Sequence, residues 1–448
     1  MSFQTGIMKG KDIPAVSWLK FMGKAHLILK NPLPFHAENF EKLGDIFRVK
    51  TGFGNPLVFS RSAAFAEYAL QKNHKNFEKS PIQTRDMAKY LGYGLLTATG
   101  EHWRKQRKLI QPAFHKKQIA GLLDTVNSAI LHELDKIEPN KFIDIFPVFN
   151  DLAFQTVVKS LFSSAVGQKE IDRLQYITEA AQRMLVKELR QPFKRWWFKY
   201  GGSIKKHMNL VEEARDILRK LVRERKENPV GEGDLLDMLL EARYEDGTAM
   251  SEKQLIDEIL IFFTAGHETT SNALTFTAEL LARHPHIQEK IASETKRAKE
   301  NSRDLMEYIA SCTYTKQVLE EAMRLYPPVY FIDRINLEED EFNGFRLHKN
   351  SNLLFSIYEI HRDAAYWKNP LEFDPSRFAE GTKHTSHYFP FGAGPRKCIG
   401  NNFAMYEMIL AITELVSRYR IRTNKGEIEI TPLITLKPKN AVLEFSKR

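Results

Sequence analysis

Phe391-Gly392-Ala393-Gly394-Pro395-Arg396-Lys397-Cys398-Ile399-Gly400 is the stretch on which the reading of this 448-residue chain turns. One cysteine stands among three glycines and two cations. A free thiol ionises near ~8.5, and adjacent positive charge or a bound metal lowers that value. Arg396 and Lys397 supply the charge. Gly392, Gly394 and Gly400 remove side chains where a large planar ligand would approach the backbone. After Gly400 the pattern turns amphipathic through Phe403, Ala404, Met405, Met408, Ile409 and Ile412. That predicts a helix whose first-turn N–H groups and dipole favour an anion just before it. The plain alternative is a structural cysteine in a Gly/Pro turn.

The spacing decides between them. Phe391, Gly394, Arg396, Cys398 and Gly400 occupy every fixed position of Phe-x-x-Gly-x-Arg-x-Cys-x-Gly. The stretch therefore resembles the haem-binding signature of the cytochrome P450 superfamily. The resemblance implies haem b (iron protoporphyrin IX) with Cys398 as the axial iron ligand. Working outward, Gln317 to Pro328 predicts a helix stopped by prolines, with Val318, Ala322 and Leu325 as its buried stripe. Glu321 faces inward with them and Glu320 does not. Glu321 and Arg324 resemble the family's Glu-x-x-Arg element, and Arg377 the arginine of its Pro-x-Arg-Phe element. The implied role of this trio is structural, on the cysteine side of the haem. Arg334 is placed like a propionate-binding arginine, with Val329, Tyr330, Phe331 and Ile332 lining the pocket and Ile434 and Thr435 as further candidates. His384 and His387, taken with Cys398, fit no common zinc spacing.

Gln254 to Arg283 reads as a helix of roughly 45 Å at ~1.5 Å per residue. Its centre, Ala265-Gly266-His267-Glu268-Thr269-Thr270-Ser271-Asn272, defies helix propensity, and a mid-helix Gly alone costs ~1 kcal/mol against Ala. Thr269 can bond back to the Ala265 carbonyl and bend the helix. Two helices joined by a capped turn would also account for the pattern. The centre resembles the family's Ala/Gly-Gly-x-Asp/Glu-Thr-Thr element. By that resemblance Gly266 leaves room for dioxygen, Thr269 holds a water or the distal oxygen, and Glu268 relays protons. Phe262 and Ala265 of the same helix would face the substrate. The acid–alcohol pair implies a monooxygenase and speaks against a peroxygenase or isomerase of the same fold, and against a haem sensor.

Trp103 and Arg107, four apart on a basic helix from His102 to Phe114, share a face. A Trp-x-x-x-Arg pair at this place in the family binds a haem propionate. Residues 35 to 47 predict a helix, and Ile46 to Phe59 strands turning at Gly52-Phe53-Gly54-Asn55. Gly92-Tyr93-Gly94 glances at a dinucleotide loop, but Thr97 stands at the third glycine position and no strand-loop-helix surrounds it. Asn150 to Arg243 reads as helices, interrupted at Gln191 to Gly202 by five aromatics among three cations. This segment suits either a loop packed down by its aromatics or a membrane interface.

Only Cys312 and Cys398 occur, which argues against disulfide, zinc or iron–sulfur frameworks and for a reducing compartment. The charge of +10 is scattered and accompanied by no nucleic-acid motif, so an acidic electron-transfer partner is expected. Ile13 to Met22 is broken by lysine and reads as neither signal peptide nor anchor. Packing of Trp18, Phe21 and Met22 onto the domain is expected there. No linker or repeat divides the chain, which predicts a short segment (1–30) and one haem-binding catalytic domain (31–448). The family elements run in order from 103 to 400. They imply a mainly α fold with a small β-rich region, the cytochrome P450 fold. They also imply a monomer in a bacterial cytoplasm, at most peripheral to a membrane. Such a protein inserts one oxygen atom of O₂ into a hydrophobic substrate such as a fatty acid, terpenoid or steroid. Electrons would come from a separate ferredoxin or flavodoxin with its reductase, docked by Lys105, Lys108, Lys383 and Lys397.

Overall fold

A computed structural model describes residues 10–50, 56–163, 165–229, 231, 233–380, 382 and 384–448. The turn expected at Gly52-Phe53-Gly54-Asn55 and the docking candidate Lys383 lie outside them. The chain divides into two compact units.

The first unit takes residues up to Ser80, Val329–Glu372 and the stretch ending at Cys398. Its six-stranded sheet runs in the order Ala15–Val16, Ile46–Val49, Leu57–Ser60, Asn352–Ser356, Phe331–Asn336, Phe77–Glu78. Leu57–Ser60 pairs parallel to Asn352–Ser356, which pairs antiparallel to Phe331–Asn336 with Arg334 opposite Leu353. Burial alternates along Phe331–Asn336 and puts Ile332, Arg334 and Asn336 on the covered face. A guanidinium is thereby carried inside by strand periodicity. Phe65, Phe77 and Phe355 form one apolar cluster of this unit, and Phe40, Phe47 and Phe59 another.

Helices Trp18–Gly23 and Ala25–Lys30 bury no residue, and Leu19 is 81% exposed. Of the three side chains expected to pack down, Phe21 joins the Phe35/Phe40 cluster, whereas Trp18 and Met22 stay exposed.

The second unit is helical and centred on one helix, Glu252–Arg283. Ser251 caps it by accepting from the Gln254 N–H (3.2 Å). It is continuous, so the two-helix alternative falls. Phe146–Phe162, Thr313–Leu325 and Asn401–Arg418 pack against it, and the core between them holds Phe154, Val158, Ile259 and Phe263. Helix Asn401–Arg418 is the amphipathic run read after Gly400. Strands Tyr419–Arg422, Val442–Lys447 and Phe142–Asp144 form a small sheet, and Glu429–Pro432 pairs with Leu436–Lys439 in a hairpin. The mainly α fold with minor sheets is as expected.

Between helices Gln168–Arg190 and Ser203–Glu227 lies a short helix, Arg195–Tyr200. Phe193, Trp196 and Trp197 are each 62% exposed and Tyr200 78%. Phe198 is the aromatic here that packs into an apolar cluster. A loop packed down by its aromatics therefore describes Phe198 and not these four. Among the described residues no helix is long and apolar enough to cross a membrane.

Candidate active site

In the first unit the cysteine loop is tied by its own backbone. The Cys398 N–H donates to the Phe391 carbonyl (2.9 Å), and the Lys397 N–H to that of Gly394 (3.0 Å). The Cys398 side chain is exposed. Gly394 sits at φ +67°, and a Cβ there would lie 1.9 Å from the Leu70 carbonyl oxygen. No other residue fits that position. Gly400, in the second unit, has no such constraint, because an added Cβ would meet Phe114 only at 3.8 Å. The chain itself leaves that space open.

Beside the loop lies a knot of charge. Arg396 donates to Glu78 Oε2 (2.6 Å), and Arg334, 6% exposed, donates to the Asp333 carbonyl (2.7 Å). Burial pushes Arg334 down to about 10, with Arg396 adding repulsion. Burial and then Arg334 push Lys79 down to about 7. Three cations thus face two carboxylates, Glu78 and Asp333, in a desolvated place. An anion would relieve that imbalance. Lys79 was invisible in the sequence, where Glu78-Lys79-Ser80 is an ordinary polar run. The signal is strand pairing: Phe77 and Glu78 lie opposite Asn336 and Ile335, which brings Lys79 to Arg334.

Of the pocket candidates in this unit, Val329 is 38% exposed and Tyr330 buried. The Phe331 ring packs on His36 (5.0 Å), and Ile332 joins the Phe65/Phe355 cluster. These last two are spent largely on the interior.

In the second unit, every residue of the long helix from Leu255 to Ala282 is buried except Phe262, Thr264, Ala265, Gly266 and Thr269. Phe262, Ala265, Gly266 and Thr269 follow the 3–4 spacing of one helix face. An otherwise wrapped helix therefore leaves one stripe uncovered at its centre. The Thr269 hydroxyl donates to the Ala265 carbonyl (2.7 Å), as expected. A Cβ on Gly266 would lie 2.8 Å from Val157 Cγ2, so its smallness serves close approach of helix Phe146–Phe162. His267 donates to the Phe263 carbonyl (2.5 Å) with its ring against Phe154, and burial lowers its pKa. Its role is packing. Glu268 is 7% exposed and accepts from the Thr435 hydroxyl (2.8 Å).

Trp103 and Arg107 are half-buried on helix Gly100–Ile110. Arg107, His115, Lys116, Lys117, Asn401 and Asn402 help to line an open cleft of about 540 Å³. Lys105 is exposed, whereas Lys108 is already paired with Glu245. Ile434 packs into an apolar cluster with Ile261, Met184 and Leu185. Glu321 and Arg324 are fully buried and doubly bonded (2.7 and 2.8 Å). Arg377 adds a third contact to Glu321 (3.3 Å) and the Asp374 N–H a fourth (3.0 Å). The trio read from three separated positions is assembled.

The residues present fit a planar macrocycle with carboxylate arms. The first unit offers an exposed thiol and a cation-rich cradle. The second offers an uncovered helix stripe and an open glycine.

The family model described as Cytochrome P450 matches residues 14–445. Relatives include cyclooctat-9-en-7-ol 5-monooxygenase of Streptomyces melanosporofaciens, 28% identical over 90% of this chain and 88% of that one. Pentalenene oxygenase of Streptomyces avermitilis is 26% identical over 92% and 91%. Human cytochrome P450 4V2 is 27% identical over 88% and 80%. Among solved structures, the haem domain of cytochrome P450DA superposes with TM-score 0.85 at 21% identity, covering 98% of both chains. A cyanobacterial homologue with retinoic acid bound gives 0.83 at 25%, covering 98% of this chain and all of that one.

Proposed function

The chain belongs to the cytochrome P450 family and is a haem b monooxygenase, and we propose that it hydroxylates a largely apolar, isoprenoid-like substrate with electrons from a separate protein. The bound haem supplies O₂ activation: one oxygen atom enters a substrate C–H bond, and the other leaves as water with two electrons and two protons. Cys398 would hold the haem iron as a thiolate, a ligand that favours O–O cleavage. Lys79, Arg334 and Arg396 would hold a haem propionate through charge-assisted hydrogen bonds, the role that the Trp-x-x-x-Arg pattern assigns to Trp103 and Arg107. Thr269 and Glu268 hold and pass protons at the stripe. Glu321, Arg324 and Arg377 keep the scaffold in place.

The observation that carries this reading is the uncovered stripe of Phe262, Ala265, Gly266 and Thr269 beside a buried carboxylate. Aliphatic side chains of the Ile261/Ile434 cluster suit a hydrocarbon skeleton. The named substrates of two relatives, cyclooctat-9-en-7-ol and pentalenene, point the same way. The electron donor is an acidic ferredoxin or flavodoxin of the cytoplasm, seated on the cationic cleft at Lys116 and Lys117.

Optical titration of the ferric protein with terpenoids, steroids, fatty acids and small aromatics tests the substrate. A low-to-high-spin shift with terpene alcohols or hydrocarbons is expected. A shift confined to fatty acids would overturn the isoprenoid assignment, and a protein that takes up no haem would overturn Cys398 as ligand.

A further inference from the structure

Glu268 is the proposed proton carrier, yet a buried carboxylate on a helix is useful only if its orientation is fixed. The long helix does not fix it; the C-terminal hairpin does. Glu268 Oε1 accepts from the Thr435 hydroxyl at 2.8 Å and pairs with Lys437 Nζ at 3.1 Å. Asn272, one turn along the same helix face, donates its amide to Thr435 Oγ1 at 3.0 Å. That bond occupies the acceptor side of the hydroxyl and turns its single hydrogen toward Glu268. Lys437 is anchored in turn, with its ammonium 5.3 Å from the Phe146 ring centroid and 28% of its side chain in solvent. Oε2 of Glu268 has no protein partner among the described residues. One oxygen is therefore clamped and the other left for proton transfer. Thr435 adjoins Ile434, which sits in the apolar cluster with Ile261.

We propose that Thr435 and Lys437 are positioning residues for proton delivery, which clamp the Glu268 carboxylate from the hairpin that also carries the substrate-side residue Ile434. The inference rests on the reading of Glu268 as proton carrier. It makes substrate contact with the hairpin and proton supply at the helix two ends of one device.

The test compares haem-loaded Lys437→Met, Thr435→Val, Lys437→Arg and Glu268→Gln with wild type. Expected for Lys437→Met is an unchanged substrate-induced spin shift, and for both Lys437→Met and Thr435→Val a several-fold fall in product per electron consumed. Released hydrogen peroxide and the solvent deuterium isotope effect should both rise. Lys437→Arg should restore most of the coupling. In the resting enzyme, amides of 429–439 should exchange faster in Lys437→Met. Coupling and isotope effect at wild-type values in both hairpin variants, with Glu268→Gln impaired, would overturn the clamp and spare the carrier. Wild-type values in Glu268→Gln as well would overturn the carrier itself. Should Lys437→Met lose stability, the folded Thr435→Val variant decides alone.

Discussion

Glu321 is a carboxylate committed entirely to the interior. Both its oxygens are used, and both it and Arg324 are fully buried. Removing one partner of such a pair strands the other, at about 3–5 kcal/mol, against a total stability of about 5–15 kcal/mol for typical domains. Glu321→Gln should therefore yield little soluble haem-loaded protein, and what folds should show a urea midpoint lowered by at least a third. A midpoint near wild type would show that the trio is dispensable. The position was legible because 3.6-residue periodicity says which of two adjacent glutamates turns inward. Cys398 was legible for another reason, since fixed glycines and cations at fixed spacing leave few alternatives. Lys79 and Lys437 were not. Each acquires its place through strand pairing with residues far away in sequence, and no local pattern encodes that.

The long helix could be read because its apolar flanks are long and its polar centre breaks propensity. What the centre and the N-terminal half hold was harder to see. Gly92-Tyr93-Gly94, set aside as a nucleotide loop, folds instead onto the acidic pair of this helix. The Tyr93 N–H donates to Asp257 (3.0 Å), the Leu95 N–H donates to Glu258 (2.9 Å), and Thr97 closes the turn on the Gly92 carbonyl (2.8 Å). A Cβ on Gly94 would lie 2.6 Å from the Glu258 carboxyl. The glycines are there so that backbone can reach the helix. Burial pushes the Glu258 carboxyl from the usual 4.5 up to about 7, outweighing its hydrogen bonds from Leu95 and Gln254. Between those values the folded state binds a proton that the unfolded state has released. Stability from this group is therefore greatest at low pH and declines as pH rises through the window 4.5 to 7. The full loss is roughly 3 kcal/mol at ~1.4 kcal/mol per pH unit. Glu258→Gln cannot ionise, so its melting temperature relative to wild type should rise by a few degrees between pH 5 and pH 8. A gap that does not move with pH would show that Glu258 is charged in the folded protein throughout.

At the scale of the whole chain the quantity to explain is the charge of +10. It is the excess left after ion pairs have cancelled, as Lys108 does with Glu245, Lys89 with Glu188, and Arg225 with Asp234 and Asp237. A cation engaged in an exposed pair adds little to the field felt by an approaching protein, and beyond ~10 Å salt screens the rest. Steering thus depends on cations gathered without a counter-charge, which composition alone cannot locate. Lys116 and Lys117 are such a pair: they are exposed at the start of a helix, share a cleft with Arg107 and His115, and have no acidic partner among the described residues. With an acidic ferredoxin as donor, K116E/K117E should slow first-electron transfer at least tenfold at low ionic strength and flatten its dependence on salt. Lys108→Glu should do far less, because it reverses one charge rather than two and Lys108 does not line the cleft. Stopped-flow reduction of the three proteins at several salt concentrations measures this. If Lys108→Glu slowed reduction and K116E/K117E did not, the donor would dock away from the cleft. The sequence's wider set of lysines would then describe the surface better than this cleft does.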